Sequence, residues 1–245
     1  MGFQQYLEIA ESAAKAAGAR LRNIDREHVL NTNGRDVKHL ADITSEQLIV
    51  EILSNSSKFS ILSEEGGQYG SQTPGDYIWV VDPLDGTVNF SQDIKFACIS
   101  IALWRGDDPV LGVVYDFNHE ELFSGIVGRG AWCNNLRIDA SSVRNPAQAI
   151  LATGFPVARD FSYGALKKFM QQIKAFKKIR LLGSAALSLA YVACGRCDAY
   201  TEEDIMFWDA AAGIALVKSA GGFVRHHESP RKNWAKTVLA GETFR

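Results

Sequence analysis

The chain has 245 residues, 47% of them apolar and 22% charged, the make-up of a folded protein able to bury a substantial core without disulfide staples. A net charge of −2 gives no electrostatic footprint for nucleic acid or an anionic membrane, and no apolar run approaches the roughly 18 residues that span a bilayer. The N-terminus lacks the basic-then-apolar form of a signal peptide, and Cys98, Cys133, Cys194 and Cys197 are too few for a disulfide framework, so the chain reads as cytoplasmic.

From Tyr6 to Ile24, Leu7, Ala10, Ala14, Ala17 and Leu21 recur at steps of three and four, which predicts an amphipathic helix. Asn31 to Arg35 breaks it. A second helix is predicted from Asp42 to Leu53, with Leu48, Ile49, Ile52 and Leu53 as its apolar stripe and Asp42 as its cap. Phe59 to Leu62 reads as a short buried strand that runs into Ser63-Glu64-Glu65-Gly66-Gly67, and the polar stretch Gly66 to Gly75 as a surface loop able to fold over a site.

Trp79, Val80 and Val81 form the end of another strand, and Pro83 denies the next backbone donor, so the ladder is expected to stop at Asp82. Asp82 and Asp85 sit three apart across that turn and can point at one spot. Two acids converging in water repel, and their natural reason to converge is a hard divalent cation, which takes oxygen ligands and cancels the charge. Gly86 and Thr87 follow where a helix can begin, the setting in which backbone amides meet a phosphate. Both acidic clusters thus leave neighbouring strands at the same end, where ligands collect in α/β sheets.

Phe96 to Trp104 and Val110 to Tyr115 alternate as a hairpin around Arg105-Gly106-Asp107-Asp108-Pro109, in which turn chemistry accounts for the Arg-Gly-Asp triplet. Glu121 to Val127 makes a third strand, and Gly128 to Asn135 a glycine-loosened turn into Leu136 to Ile138. This succession is α+β. The polar Ser141 to Pro146 divides an N-terminal α+β half, 1–142, from a C-terminal α/β half, 143–245. In the latter, Ile150 to Thr153 is a strand, Tyr163 to Phe176 and Ala185 to Ala193 are helices, Asp198 to Thr201 is a strand, Asp209 to Ala220 a helix and Val238 to Ala240 a strand.

Glu202, Glu203, Asp204 and Asp209 form a second acidic cluster; Asp209 is typed for a helix N-cap, and one oxygen can cap while the other binds metal. Cys194-Gly195-Arg196-Cys197 is a solitary Cys-x-x-Cys and reads as structural. The basic run Lys167, Lys168, Lys174, Lys177, Lys178 and Arg180 reads as a solvated helix face. His28, His39, His119, His226 and His227 lack metal spacing and read as surface residues.

Taken together, these motifs resemble the inositol monophosphatase family, within the lithium-sensitive, magnesium-dependent phosphatases. Trp79 to Phe90 meets the family pattern Trp-x-x-Asp-Pro-x-Asp-Gly-Thr-x-Asn-Phe, Glu64 and Glu65 its Glu-Glu element, and Trp208 to Gly213 its Trp-Asp-x-Ala-x-Gly element. Gly183 to Ala186 and Gly195 to Ala199 match as well, so the resemblance covers nearly the whole chain in the family's order.

The resemblance implies a layered αβαβα sandwich with the site between the two halves, assembled as a homodimer. It also implies magnesium-dependent hydrolysis of a small phosphomonoester. One magnesium would be held by Glu64, Asp82 and the main-chain carbonyl of Leu84, and a second by Asp82, Asp85 and Asp209. Thr87, paired with Glu64, would orient the attacking water, the amides of Gly86 and Thr87 would hold phosphate, and Asp85, the amide of Ala185 and Glu202 would meet substrate hydroxyls. For a weaker third magnesium the family uses an Asp in a Thr-x-x-Asp run of the second helix; here Glu46 occupies that place, with Asp42 the alternative.

Val88-Asn89-Phe90 and Glu202, seven before Asp209, resemble the branch acting on inositol or similar polyol monophosphates. Asp36-Val37-Lys38-His39 and Ser63 look more like the 3′(2′),5′-bisphosphate nucleotidase branch, while Glu203-Asp204 adds acid that repels a second phosphate. Fructose 1,6-bisphosphate and histidinol phosphate are further alternatives. A catalytically silent binding or regulatory homologue would be expected to lose a metal acid or Thr87, and none is lost.

Overall fold

The computed structural model describes residues 2–24, 29–33, 36–71, 75–156, 159–229 and 235–241; His28, residues 72–74 and the side chains of Asp36 to His39 lie outside what is described. The chain opens with α1 (Phe3–Arg22), the strands β1 (Val29–Asn33) and β2 (Asp36–His39), and α2 (Leu40–Ser56). Then come β3 (Ser60–Ser63), β4 (Gly67–Tyr69), β5 (Tyr77–Asp85), α3 (Thr87–Ser91), β6 (Cys98–Arg105), β7 (Asp108–Asp116), β8 (Glu121–Ile126), β9 (Gly130–Cys133) and β10 (Leu136–Ile138). The second half holds β11 (Ile150–Thr153), α4 (Tyr163–Ile173), β12 (Lys178–Leu181), α5 (Ala185–Ala193), β13 (Ala199–Met206), α6 (Phe207–Ser219), β14 (Phe223–Glu228) and β15 (Ala235–Gly241).

Alternation along β5 sets the layers. Trp79 and Val81 face one way, into a core with Leu7, Ala10, Ala14, Ala17 and Leu21 of α1 and Ile49 and Leu53 of α2. Ile78 and Val80 face the other, into a core with Leu187, Leu189 and Ala190 of α5 and Ala211, Ile214 and Leu216 of α6. An eight-stranded sheet in the order β10-β9-β8-β7-β6-β5-β3-β4 runs between these helix pairs. Beyond α5 and α6, Tyr200, Val238 and Ala240 close the same core from a five-stranded sheet in the order β12-β11-β13-β15-β14. The inner core therefore draws on both sides of residue 142.

The chain crosses from β11 through α4 to β12 on one side, and from β12 through α5 to β13 on the other, with β11 parallel to both neighbours. Right-handed crossovers in opposite directions put their helices on opposite faces, so α4 is the outer layer and the whole is the αβαβα sandwich.

Several local expectations are corrected. Strand β5 does not stop at Asp82: Asp82 pairs with Ser100 and Asp85 with Cys98, so the strand passes Pro83 as a bulge with one extra residue. Ser45 of α2 steadies that bulge by donating to the Pro83 carbonyl at 2.7 Å. Residues 130–133 form a strand rather than a turn, joined to β10 through Asn134 and Asn135 at φ 48° and 68°, a two-residue hairpin that asparagines accommodate. The strands β12 and β14 were not expected, and the basic run is split, with Lys167 and Lys168 on α4 and Lys178 and Arg180 on β12. His226 is half-buried on β14, its ring 5.4 Å from that of Trp104, rather than a surface residue. Neither Asp42 nor Asp209 is a cap: α2 already begins at Leu40, and the N-cap position of α6 is Met206. The loop Gly66 to Gly75 includes strand β4, paired with β3.

The inner layer tolerates no extra atom where β7 meets α6, because a Cβ on Gly112 would stand 2.4 Å from the Ala212 carbonyl oxygen. Gly112→Ala is expected to destabilise the fold by about 1–3 kcal/mol and to lower the thermal midpoint by several degrees. A midpoint equal to that of the unsubstituted chain contradicts this packing.

Candidate active site

Strands β3 and β5 run parallel with Ser63 opposite Val81, and the Glu64 N–H donates to the Val81 carbonyl at 3.3 Å, which sets Glu64 beside Asp82. The first turn of α6 brings Asp209 from the other half. One carboxylate oxygen from each of Glu64, Asp82 and Asp209 lies within 4.8 Å of the others, with Asp82 buried and its two companions half-buried. Two of the expected metal-ligand acids, Glu64 and Asp82, are thus joined by the third, Asp209.

Crowding and loss of water govern their charge. Glu64 is pushed up to about 8, first by burial and then by the nearby charges of Asp42 and Glu65. Asp82 and Asp209 are driven well above the usual carboxylate range, again by burial first and then by Glu64 and the other acids. An oxygen-only donor set of this kind fits a hard divalent cation, which would replace those protons.

Asp85 stands outside the trio. Its Oδ2 accepts from Ser184 Oγ at 2.6 Å, from the Ala186 N–H at 2.7 Å and from the Cys98 thiol at 3.9 Å, so the N-terminus of α5 grips it. Burial pushes Asp85 up to about 6, and these hydrogen bonds, together with the Ala185 amide, hold it from going higher. The Ala185 amide, expected to serve substrate, is thereby engaged with Asp85.

Thr87 was expected to pair with Glu64, and its partner is different. Its Oγ1 is 3.0 Å from Asp42 Oδ1 and 3.1 Å from the Leu84 carbonyl. Asp42 reaches it because α2 starts two residues early, which turns the supposed cap into a buried first-turn acid. Glu46, one turn further on, accepts from the Gly66 N–H at 2.9 Å and the Tyr69 hydroxyl at 3.3 Å and so secures the β3–β4 turn. Leu84 also donates its N–H to Asp82 Oδ1 at 3.0 Å. Gly86 caps α3 at φ 92°, and a Cβ there would stand 2.9 Å from the Phe96 carbonyl, so only glycine fits.

Glu202 is buried on β13 beside a register shift that carries Asp204 at φ 64°. Burial pushes it up to about 8, while Tyr200 and Arg159 favour its charged form. Glu203 meets Lys168 at 3.8 Å and Asp204 accepts from Ser229, so both acids expected to repel a second phosphate are engaged within the protein. Asn89 Nδ2 donates to the Phe96 and Leu182 carbonyls, each at 2.8 Å, and ties the halves together next to the site. Ser184, Ala186, Asn89, Tyr200 and Arg159 were given no role by the sequence; of these, Asn89 lies within Trp79 to Phe90, and Ser184 and Ala186 lie within Gly183 to Ala186.

Carboxylates from the end of β3, the bulge of its parallel neighbour β5 and the first turn of α6, close enough to hold one metal ion, define a site of the metal-assisted hydrolase class. The model of the inositol monophosphatase family matches residues 3–243. An inositol-1-monophosphatase of Synechocystis sp. is 38% identical over 233 residues, covering 92% of this chain and 80% of that protein. A protein of Xylella fastidiosa named Nus factor SuhB is 39% identical over 224 residues, covering 89% of this chain and 80% of its own. The solved inositol monophosphatase of Anabaena (Nostoc) sp. PCC 7120 superposes with a TM-score of 0.85 at 38% identity, covering 98% and 92% of the two chains. The chain belongs to the inositol monophosphatase family and is a phosphatase. Among the described residues no helix is long and apolar enough to cross a membrane.

The raised carboxylates carry a pH dependence. A carboxylate with a higher pKa folded than unfolded contributes stability below the ordinary carboxylate range and loses it as pH rises through the folded value. With Asp85 near 6 and Glu64 and Glu202 near 8, the protein stripped of divalent ions is expected to lose thermal stability from pH 5 to pH 9. Adding a divalent cation should raise the midpoint more at pH 8 than at pH 5. A stripped protein more stable at pH 8 than at pH 5 contradicts the assignment.

Proposed function

We propose that the chain is a magnesium-dependent phosphatase of a small polyol monophosphate, with inositol monophosphate the best-supported substrate. The observation that carries this reading is the convergence of Glu64, Asp82 and Asp209 within 4.8 Å. Magnesium bound there would neutralise the acids, acidify a water and steady the departing alkoxide.

The chain's own groups supply position. Thr87 Oγ1 donates to Asp42, which leaves its lone pair to accept from a water in the cleft and hold it for in-line attack. The amides of Gly86 and Thr87, at the start of α3, offer donors to the phosphate oxygens. Asp85, locked by α5, keeps a negative wall beside the trio, and Glu202 accepts from hydroxyls of the departing polyol. Glu202 in its ionised form, which Tyr200 and Arg159 favour, disfavours a second phosphate, which supports a monophosphate over nucleoside or sugar bisphosphates.

Asp82→Asn and Asp209→Asn are each expected to lower magnesium-dependent phosphate release by at least about 10²-fold while the circular dichroism spectrum is unchanged. Near-normal release in either variant removes that residue from the mechanism. Among inositol monophosphate, adenosine 3′,5′-bisphosphate, fructose 1,6-bisphosphate and histidinol phosphate, the first should give the highest kcat/KM; a higher value for a bisphosphate overturns the substrate assignment.

A further inference from the structure

Beside Glu202 stand two buried donors, and among the described residues one of them is unmet. Arg159 is only 7% exposed; its guanidinium carbon lies 4.4 Å from the centre of the Phe169 ring and 5.4 Å from that of Phe155. Its Nε has no hydrogen-bond partner among the described residues. Tyr200 is fully buried; its hydroxyl makes only a loose hydrogen bond to Glu202, which favours the charged carboxylate, and no other described residue meets it.

Leaving a buried donor unmet is costly, and native folds seldom do so without a ligand or water to complete it. The two rings fix the guanidinium, since stacking restrains a planar cation that would otherwise sweep through solvent. These groups gather at one place: Tyr200 and Glu202 lie on β13, and Arg159 follows β11, its parallel neighbour. The chain leaves β11 toward β12 on one side and leaves β13 through α6 toward β14 on the other, which makes the boundary between β11 and β13 a switch point of the kind where ligands bind. Gly154 keeps the floor open, because a Cβ there would stand 2.5 Å from Glu202 Oε1.

An anion would satisfy Arg159 but meet Glu202 in the ionised form that Arg159 favours; a cation would meet the guanidinium. A neutral pair of adjacent hydroxyls suits both, giving its protons to Glu202 and its lone pairs to the Arg159 Nε–H and the Tyr200 hydroxyl. We infer that Arg159 and Tyr200, together with Glu202, read adjacent hydroxyls on the uncharged carbon frame of the substrate, which makes Arg159 a specificity residue of this site. The inference rests on the phosphatase reading above and narrows it to phosphomonoesters that carry a diol.

The test is steady-state kinetics of the full chain with magnesium on myo-inositol 1-phosphate, on cyclohexyl phosphate, which lacks the hydroxyls, and on fructose 1,6-bisphosphate. Arg159→Met and Tyr200→Phe should each raise KM for the inositol ester by about tenfold and leave cyclohexyl phosphate within about twofold. Arg159→Lys, which keeps the charge but loses the Nε–H, should show the same selective rise and serves if the methionine variant does not fold. Equal losses on the inositol and cyclohexyl esters, or no loss on either, overturn the inference. So does a loss confined to fructose 1,6-bisphosphate, which would mean that Arg159 reads an anion. If the unsubstituted chain releases phosphate from none of the three, the phosphatase reading falls and this inference with it.

Discussion

Repulsion among carboxylates is the constraint around which the molecule is arranged. Glu64, Asp82 and Asp209 bring oxygens within 4.8 Å of one another, with Asp42, Asp85 and Glu202 adding to the negative field. No chain holds such a group for stability alone. The parallel pairing of β3 and β5 sets Glu64 beside Asp82, and the bulge at Pro83, pinned by Ser45, lets β5 continue so that Asp85 turns toward α5. Protons or a divalent cation must then carry the balancing charge.

The third acid comes from the other half of the chain, so the site exists only while the halves stay in register. Several contacts hold them. Trp104 Nε1 on β6 donates to the Ala211 carbonyl of α6 at 3.3 Å, and Ser100 Oγ donates to that of Trp208 at 3.3 Å, one residue before Asp209. Asn89 bridges to Leu182, and Asp85 to the start of α5. Gly112 allows β7 and α6 to approach closely enough for this seating. Core packing and catalytic geometry are thus one problem here: what positions α6 positions Asp209.

Much of this was legible from the residues alone, for reasons that are physical. The apolar run of β5, the alanine-rich α1 and the apolar α5 announce themselves by pattern, and the acids stand out because they interrupt apolar strands. The edge strand β12, Lys178 to Leu181, carries charge where a buried strand would be apolar and so read as a continuation of a basic helix. Asp42 was misplaced because the same residue type suits a cap and a buried hydrogen-bond acceptor, and a shift of two residues in the helix start decides between them. Arg159 had no signal at all: its meaning depends on Tyr200 and Glu202 of β13, some forty residues on, lying beside the end of β11 in the sheet.

The most direct test of the central claim is calorimetric titration of the metal-stripped protein with magnesium at pH 7, repeated in buffers of different ionisation enthalpy. If the three crowded acids hold their charge in check with protons until a cation arrives, binding should be saturable and should release about one proton or more per site into the buffer. Saturable binding with no proton release, or the same isotherm after Glu64→Gln, would contradict it.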